Sequence, residues 1–193
     1  MMVKICGITN LEDALAAAEA GASALGFNFW NRSPRYVAPE VARAIITELP
    51  AEVCNVGVFV NEKPETVTAI ARDTGLDVVQ LHGKETAGDF PEGLRVWKAI
   101  RIGPSFDRGA LDQYPAEALL LDGAANGVAF DWKLAGGMAR KVIVAGGLDA
   151  GNVAKAIAEA RPWGVDACSR LEKSPGRKDH VKVAQFIKAA LAA

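Results

Sequence analysis

Cysteine and histidine are both scarce in this chain. Three cysteines (Cys6, Cys54 and Cys168) and two histidines (His82 and His180) stand among 193 residues, with no Cys-x-x-Cys pair. An odd, scattered set of thiols makes no disulfide framework, and so few nitrogen and sulfur ligands do not suggest a structural zinc site. Reduced thiols in a reducing compartment fit better. No stretch approaches the roughly 18 apolar residues of a membrane-spanning helix. The first residues run straight into a strand, without a basic leader and apolar h-region, so a soluble, cytoplasmic protein is expected. An excess of one charge is also lacking: 22 Lys and Arg balance 23 Asp and Glu, and the two signs are interspersed. Nucleic acid and anionic membranes call for a concentrated basic surface and are not expected partners. There is no low-complexity tract and no linker, the glycines and prolines being scattered as turn punctuation.

What is present is a repeated pattern of apolar runs ending in polar or glycine residues. Val3-Lys4-Ile5-Cys6-Gly7 is the first, and Val58-Phe59-Val60-Asn61, Gln80-Leu81-His82-Gly83, Leu121-Asp122-Gly123, Val144-Ala145-Gly146-Gly147 and Asp166-Ala167-Cys168-Ser169 follow. Read as strands, the runs fall near 3–8, 24–29, 54–60, 78–83, 95–102, 118–122, 141–146 and 163–168. Amphipathic segments near 10–20, 39–49, 64–74, 84–90, 106–113, 130–137, 149–160 and 179–192 read as the intervening helices. Asn10, Pro39, Pro64 and Asp149 supply start signals.

Eight strand–helix units in one chain of this size imply a single domain over residues 1–193, either a closed barrel or an open doubly wound sheet. The open sheet normally carries a Gly-x-Gly-x-x-Gly turn after its first strand, whereas Cys6-Gly7-Ile8-Thr9-Asn10 has one glycine. The expected fold is therefore a compact single-domain α/β structure, a (β/α)8 TIM barrel. Its chemistry belongs at the carboxyl ends of the strands. The two longest non-periodic stretches, 30–38 and 169–179, both follow strands and lie on that face.

Seven blocks run along the whole chain: Lys4-Ile5-Cys6-Gly7-Ile8-Thr9, Ser33-Pro34-Arg35-Tyr36-Val37, Gly57-Val58-Phe59-Val60-Asn61, Gln80-Leu81-His82-Gly83, Phe130-Asp131-Trp132, Ala145-Gly146-Gly147-Leu148 and Ser174-Pro175-Gly176-Arg177-Lys178-Asp179. In order and spacing they resemble those of the phosphoribosylanthranilate isomerase family of tryptophan biosynthesis. The resemblance implies an Amadori rearrangement of N-(5-phosphoribosyl)anthranilate to 1-(2-carboxyphenylamino)-1-deoxyribulose 5-phosphate, with no metal and no organic cofactor. A phosphorylated small molecule is the expected partner, and the acting species a monomer or homodimer. Two blocks depart from the family pattern. Ala124-Ala125-Asn126-Gly127 stands where a glycine-rich run is usual, and Cys168-Ser169-Arg170-Leu171-Glu172 where Ser-Ser-Gly-Val-Glu is usual. Side chains then occupy space at two points of backbone approach to phosphate; Arg170 is able to compensate with its charge.

An Amadori rearrangement needs an acid to open the furanose ring and a base to take the proton from the adjacent carbon, both with pKa values near the working pH. Cys6 is the candidate base. A thiol with pKa ~8.5 needs nearby positive charge to ionise, and Lys4, two residues earlier on the same strand face, can supply it. By position alone Cys6 reads more readily as a buried apolar filler; the surrounding family block tips the reading to catalysis. Cys54 and Cys168 keep the filler reading. Asp122, ending an apolar run, is the candidate acid, or an ionised stabiliser of the imine cation. Position alone equally allows a turn cap. The resemblance implies that Arg35 holds the anthranilate carboxylate, a role suited to its planar fork. Gly146, Gly147 and Ser169 are the expected phosphate cradle, and Asp166 is expected to face the ribosyl hydroxyls. His82 is a substrate contact or support and stays outside the catalytic pair. Trp97, Trp132 and Trp163 read as packing, with Trp30 the exception to test because its loop also carries Arg35. Two readings compete with the isomerase: a barrel of altered specificity for a related sugar phosphate, and a non-catalytic barrel that binds one.

Overall fold

A computed structural model of the chain describes residues 1–104, 106–123 and 129–193. Eight parallel strands close into a barrel in sequence order: β1 (Met2–Cys6), β2 (Ala24–Asn28), β3 (Cys54–Phe59), β4 (Val78–Leu81), β5 (Val96–Ile102), β6 (Ala118–Gly123), β7 (Lys141–Val144) and β8 (Gly164–Ala167). The seam is parallel too, Met2 pairing with Gly164, Lys4 with Asp166 and Ile5 with Ala167. Each strand matches the run read from the sequence to within two residues at either end. Strands buried on both faces read as nearly continuous apolar segments, which is why they stand out.

Alternation sorts their side chains. Ala24, Val56, Val78, Trp97, Leu120 and Ile143 fill the barrel. Their neighbours Val3, Ile5, Leu25, Phe27, Leu119 and Val165 point outward into the layer shared with the helices. Trp97 and Trp163 meet edge-on at 5.8 Å among the interior residues, as packing tryptophans.

Among the described residues five α-helices cover this sheet: α1 (Leu11–Glu19), α2 (Pro39–Thr47), α3 (Pro64–Thr74), α4 (Val153–Ala160) and α5 (His180–Leu191). Asn10 caps α1, its side chain accepting from the Asp13 N–H at 2.9 Å, and prolines begin α2 and α3. In α5 Val183, Phe186, Ile187 and Ala190 recur at helical spacing and are sealed from solvent. The larger of these contribute about 1.5–3 kcal/mol each by burial.

Three expected helices do not form. The segments at 84–90, 106–113 and 130–137 contain only 3-10 turns, at Ala87–Asp89, Gly109–Gln113 and Trp132–Ala135. Gly88 lies inside the first with Pro91 just beyond it, Gly109 begins the second with Pro115 just beyond it, and Gly136-Gly137 closes the third. Segments this short cannot offset helix nucleation against such residues. Asp149 likewise does not start a helix. Its Oδ1 accepts from Gly151 N–H at 2.9 Å, its own N–H donates to Asn152 Oδ1 at 2.9 Å, and α4 begins four residues later. After β8 the chain makes a 3-10 turn (Ser169–Leu171) and an antiparallel pair, β9 (Glu172–Ser174) with β10 (Arg177–Lys178), where the sequence suggested an irregular loop. Among the described residues no helix is long and apolar enough to cross a membrane.

Candidate active site

The inward-facing residues at the carboxyl ends of the strands surround one cavity of about 410 Å³, a volume in the range of small-ligand pockets. Strand parity selects its lining. On β1 Lys4 and Cys6 share the inner face; on β6 Leu120 and Asp122 do; on β8 Asp166 is followed by Cys168, and each pair ends in the cavity. Cys6, Asp122, Arg35, Asp166, Gly146, Gly147 and Ser169, the seven residues singled out in the sequence, all line it.

Cys6 sits over a buried ion pair. Lys4 is sealed from solvent and its Nζ donates to Asp166 Oδ1 at 2.9 Å. A methyl group placed on Gly26 of β2 would lie 2.8 Å from Cys6 Sγ and 3.1 Å from Lys4 Nζ, so the missing side chain leaves room for the ammonium and the sulfur together. The Cys6 thiol is held well below the ordinary thiol range. A hydrogen bond from Cys168 is the largest cause; burial opposes it, and the Lys4 and Lys178 charges add to it. Cys168 moves the other way, pushed well up because it gives that hydrogen bond and is buried. Burial works against the Lys4 charge, yet Asp166 and Cys6 outweigh it and raise the lysine further. Asp166 itself is pushed up to about 7 by burial, with Lys4 opposing and the Cys6 and Asp122 charges assisting.

Asp122 stands three strands round the ring from Cys6, with Asp166 close enough to both to feel their charges. Its Oδ2 is 3.6 Å from His82 Nε2, and His82 Nδ1 lies 3.0 Å from Gln80 Nε2. Arg101, paired with Asp122 in the β5–β6 register, also borders the cavity.

Gly146 and Gly147 follow β7 with φ of 86° and 65°. Positive φ at both positions is open to glycine at no steric cost, and both residues border the cavity. Ser169 begins the 3-10 turn after β8, and Arg170 beside it reaches Asp149 at 3.9 Å. Ala124-Ala125-Asn126-Gly127 lies outside the described residues. Arg35 lines the cavity with its fork engaged: Nε and Nη2 donate to Glu172 at 2.8 and 2.7 Å. Glu172 also accepts from Lys178 Nζ at 3.0 Å, and both are almost completely buried. Arg35 keeps further N–H groups beyond this pair. Trp30 is partly exposed at the rim, with the Arg32 guanidinium 5.5 Å above its ring. Among the described residues no three His, Cys, Asp or Glu side chains converge to hold a metal ion.

Residues 3–189 match the family described as N-(5'phosphoribosyl)anthranilate (PRA) isomerase. The chain belongs to that isomerase family. A curated relative from Solibacter usitatus, N-(5'-phosphoribosyl)anthranilate isomerase, is 55% identical over 199 residues, covering 100% of this chain and 98% of its own. A solved phosphoribosyl anthranilate isomerase, in complex with reduced 1-(o-carboxyphenylamino)-1-deoxyribulose 5-phosphate, superposes with a TM-score of 0.89 at 42% identity over 100% of both chains. Monomers derived from the dimeric phosphoribosylanthranilate isomerase of Thermotoga maritima match at the same score, identity and coverage.

Within this member of the isomerase family, sequence reasoning passed over Arg101 and read Cys168 as a filler, and both border the cavity. Arg101 shares strand parity with inward Trp97 and Ala99, and Cys168 shares parity with Asp166, so counting along the strand would have found both. Glu172 and Lys178 carried no such signal, because the β9–β10 hairpin that delivers them has only five residues in its strands.

Proposed function

We propose that this chain catalyses the Amadori rearrangement of N-(5-phosphoribosyl)anthranilate to 1-(2-carboxyphenylamino)-1-deoxyribulose 5-phosphate, with Asp122 as acid and Cys6 as base. Asp122 gives a proton to the furanose oxygen, the ring C–O bond breaks, and the anilino nitrogen's electrons form the imine. The Cys6 thiolate then takes the proton from the adjacent carbon, and the released pair gives the enolamine, which tautomerises to the ketone. Removal of that proton is eased because the neighbouring carbon is conjugated to a positive nitrogen.

The observation that carries this reading is a cavity on which the Cys6 thiol, held well below the ordinary thiol range, and the Asp122 carboxyl both open beside a pair of left-handed glycines. Lys4 supports the thiolate from below. Gly146, Gly147 and Ser169 are suited to the phosphate, Asp166 to the ribosyl hydroxyls, and the free N–H groups of Arg35 to the anthranilate carboxylate. All these groups belong to one barrel, which suits a monomer or a homodimer with a site in each copy. A free thiol as base suits the reducing cytoplasm. The test follows anthranilate fluorescence as the purified protein consumes freshly made N-(5-phosphoribosyl)anthranilate: an enzyme-dependent decay is expected, and a decay no faster than the spontaneous one overturns the reading.

A further inference from the structure

We propose that Cys6 and Cys168 form a peroxide-sensitive thiol pair, in which a hydroperoxide oxidises Cys6 and Cys168 closes it to a disulfide across the β1–β8 seam. Each residue continues a strand beyond the last recorded pair, Ile5 with Ala167, so the two stand side by side on neighbouring strands, both facing the cavity. Neighbouring strands lie about 4.8 Å apart, within the roughly 4.4–6.8 Å between Cα atoms that a disulfide spans. Each thiol shifts the other's protonation, Cys6 downward and Cys168 upward.

The surroundings favour attack by Cys6. Lys4 and Lys178 stabilise its thiolate, and the cavity gives a small peroxide access. The sulfur attacks one peroxide oxygen, the O–O bond breaks, and the departing hydroxide is protonated to water, leaving Cys6 as the sulfenic acid. That step removes the negative charge to which Cys168 gave its hydrogen bond. Lys178 Nζ, 3.9 Å from Cys168 Sγ, then favours the Cys168 thiolate. Cys168 attacks the Cys6 sulfur, the S–O bond breaks, and the oxygen leaves as water with the proton that Cys168 gave up. Two thiols and one hydrogen peroxide become one disulfide and two waters. A thiol reductant reverses the bond.

Cys54 is the internal control. It begins β3 among the residues that fill the barrel, and burial together with the charge of Asp77 pushes its thiol up to about 11. The consequence for turnover rests on the reading of Cys6 as base, because the disulfide removes that base.

The reduced protein is treated with hydrogen peroxide, and its mass, free thiols and peptide map are read beside its isomerase activity. The expected product is lighter by two hydrogens, retains one thiol of three, and links Cys6 to Cys168 while Cys54 stays free. Activity falls at least about tenfold and returns with dithiothreitol. In Cys168→Ser, excess peroxide adds oxygen to Cys6, and dithiothreitol restores a smaller fraction of that variant's own untreated activity. Three titratable thiols after treatment, or oxygen added to Cys6 with Cys168 untouched in the unmodified chain, overturns the proposal whatever the activity does. A Cys6–Cys168 link with turnover intact upholds the thiol pair and overturns Cys6 as base.

Discussion

Lys4 and Lys98 are both buried lysines on barrel strands, each facing a carboxylate, and they sit on opposite sides of the same sheet. Lys98 lies between inward Trp97 and Ala99 and so points outward, under the loop after β4. Its ammonium donates to Glu85 at 2.8 Å and to the Gly83 and Leu81 carbonyls at 2.8 and 3.3 Å. Glu85 in turn accepts from the Asn61 and Gly83 N–H groups. Burial disfavours its charge, but Lys98 and the Asn61 N–H outweigh that and hold it below the ordinary carboxylate range. Every charge there is answered. Inside the barrel Lys4 shares itself between Asp166 and a thiol, and Asp166 remains pushed up to about 7. Burial and pairing therefore do not separate a structural ion pair from one that tunes a site; what remains unbalanced at the carboxylate does.

The sharpest way to break this comparison is to remove each ammonium. Lys98→Met strands a buried, ionised Glu85 and is expected to cost about 3–5 kcal/mol, read by urea unfolding, with kcat per folded molecule unchanged. A loss below about 1 kcal/mol would make the outer pair dispensable. Lys4→Met should cost less, because Asp166 can take up a proton. A carboxyl raised in the folded state holds its proton while the unfolded one, with pKa ~3.9, has released it. The variant's stability should therefore fall as pH rises between those two values and level off above the raised one. The same change removes a cation beside Cys6, so the acid limb of its kcat/KM profile should move to higher pH than in the unmodified chain. An unmoved limb would detach Lys4 from the thiol. The smallest effect is expected at Arg35→Ala, a rise in KM worth roughly 1.5–3 kcal/mol with kcat little altered. An unchanged KM would mean that the carboxylate is held elsewhere.

The barrel was legible because each strand keeps one apolar register for the core and another for the helix layer. Three helices misread from the sequence show the limit of periodicity: the apolar spacing is present, but Gly88, Gly109 and Gly136 sit where the chain must pay for nucleation. At the mouth, strand-end position placed Cys6, Asp122 and Asp166 on the active face, but by itself it favoured a filler for Cys6 and left Asp122 even with a turn cap; the family blocks decided their roles. The coupling of Arg35 to Glu172 and Lys178 was not legible, since a short hairpin joins residues far apart in sequence. Cys168 was read as a filler because a thiol carries no polarity signal of its own, and its contact with Cys6 exists only once β8 closes against β1.

The central claim, that the Cys6 sulfur removes the substrate proton, is tested most directly by the kcat of Cys6→Ser on N-(5-phosphoribosyl)anthranilate, with thermal unfolding measured on the same sample. A serine hydroxyl in the same place is far too weakly ionised to serve, so kcat is expected to fall by about 10²–10⁴-fold while the unfolding temperature stays close to that of the unmodified chain. A folded Cys6→Ser variant that turns over within a few-fold of the unmodified protein would contradict the account.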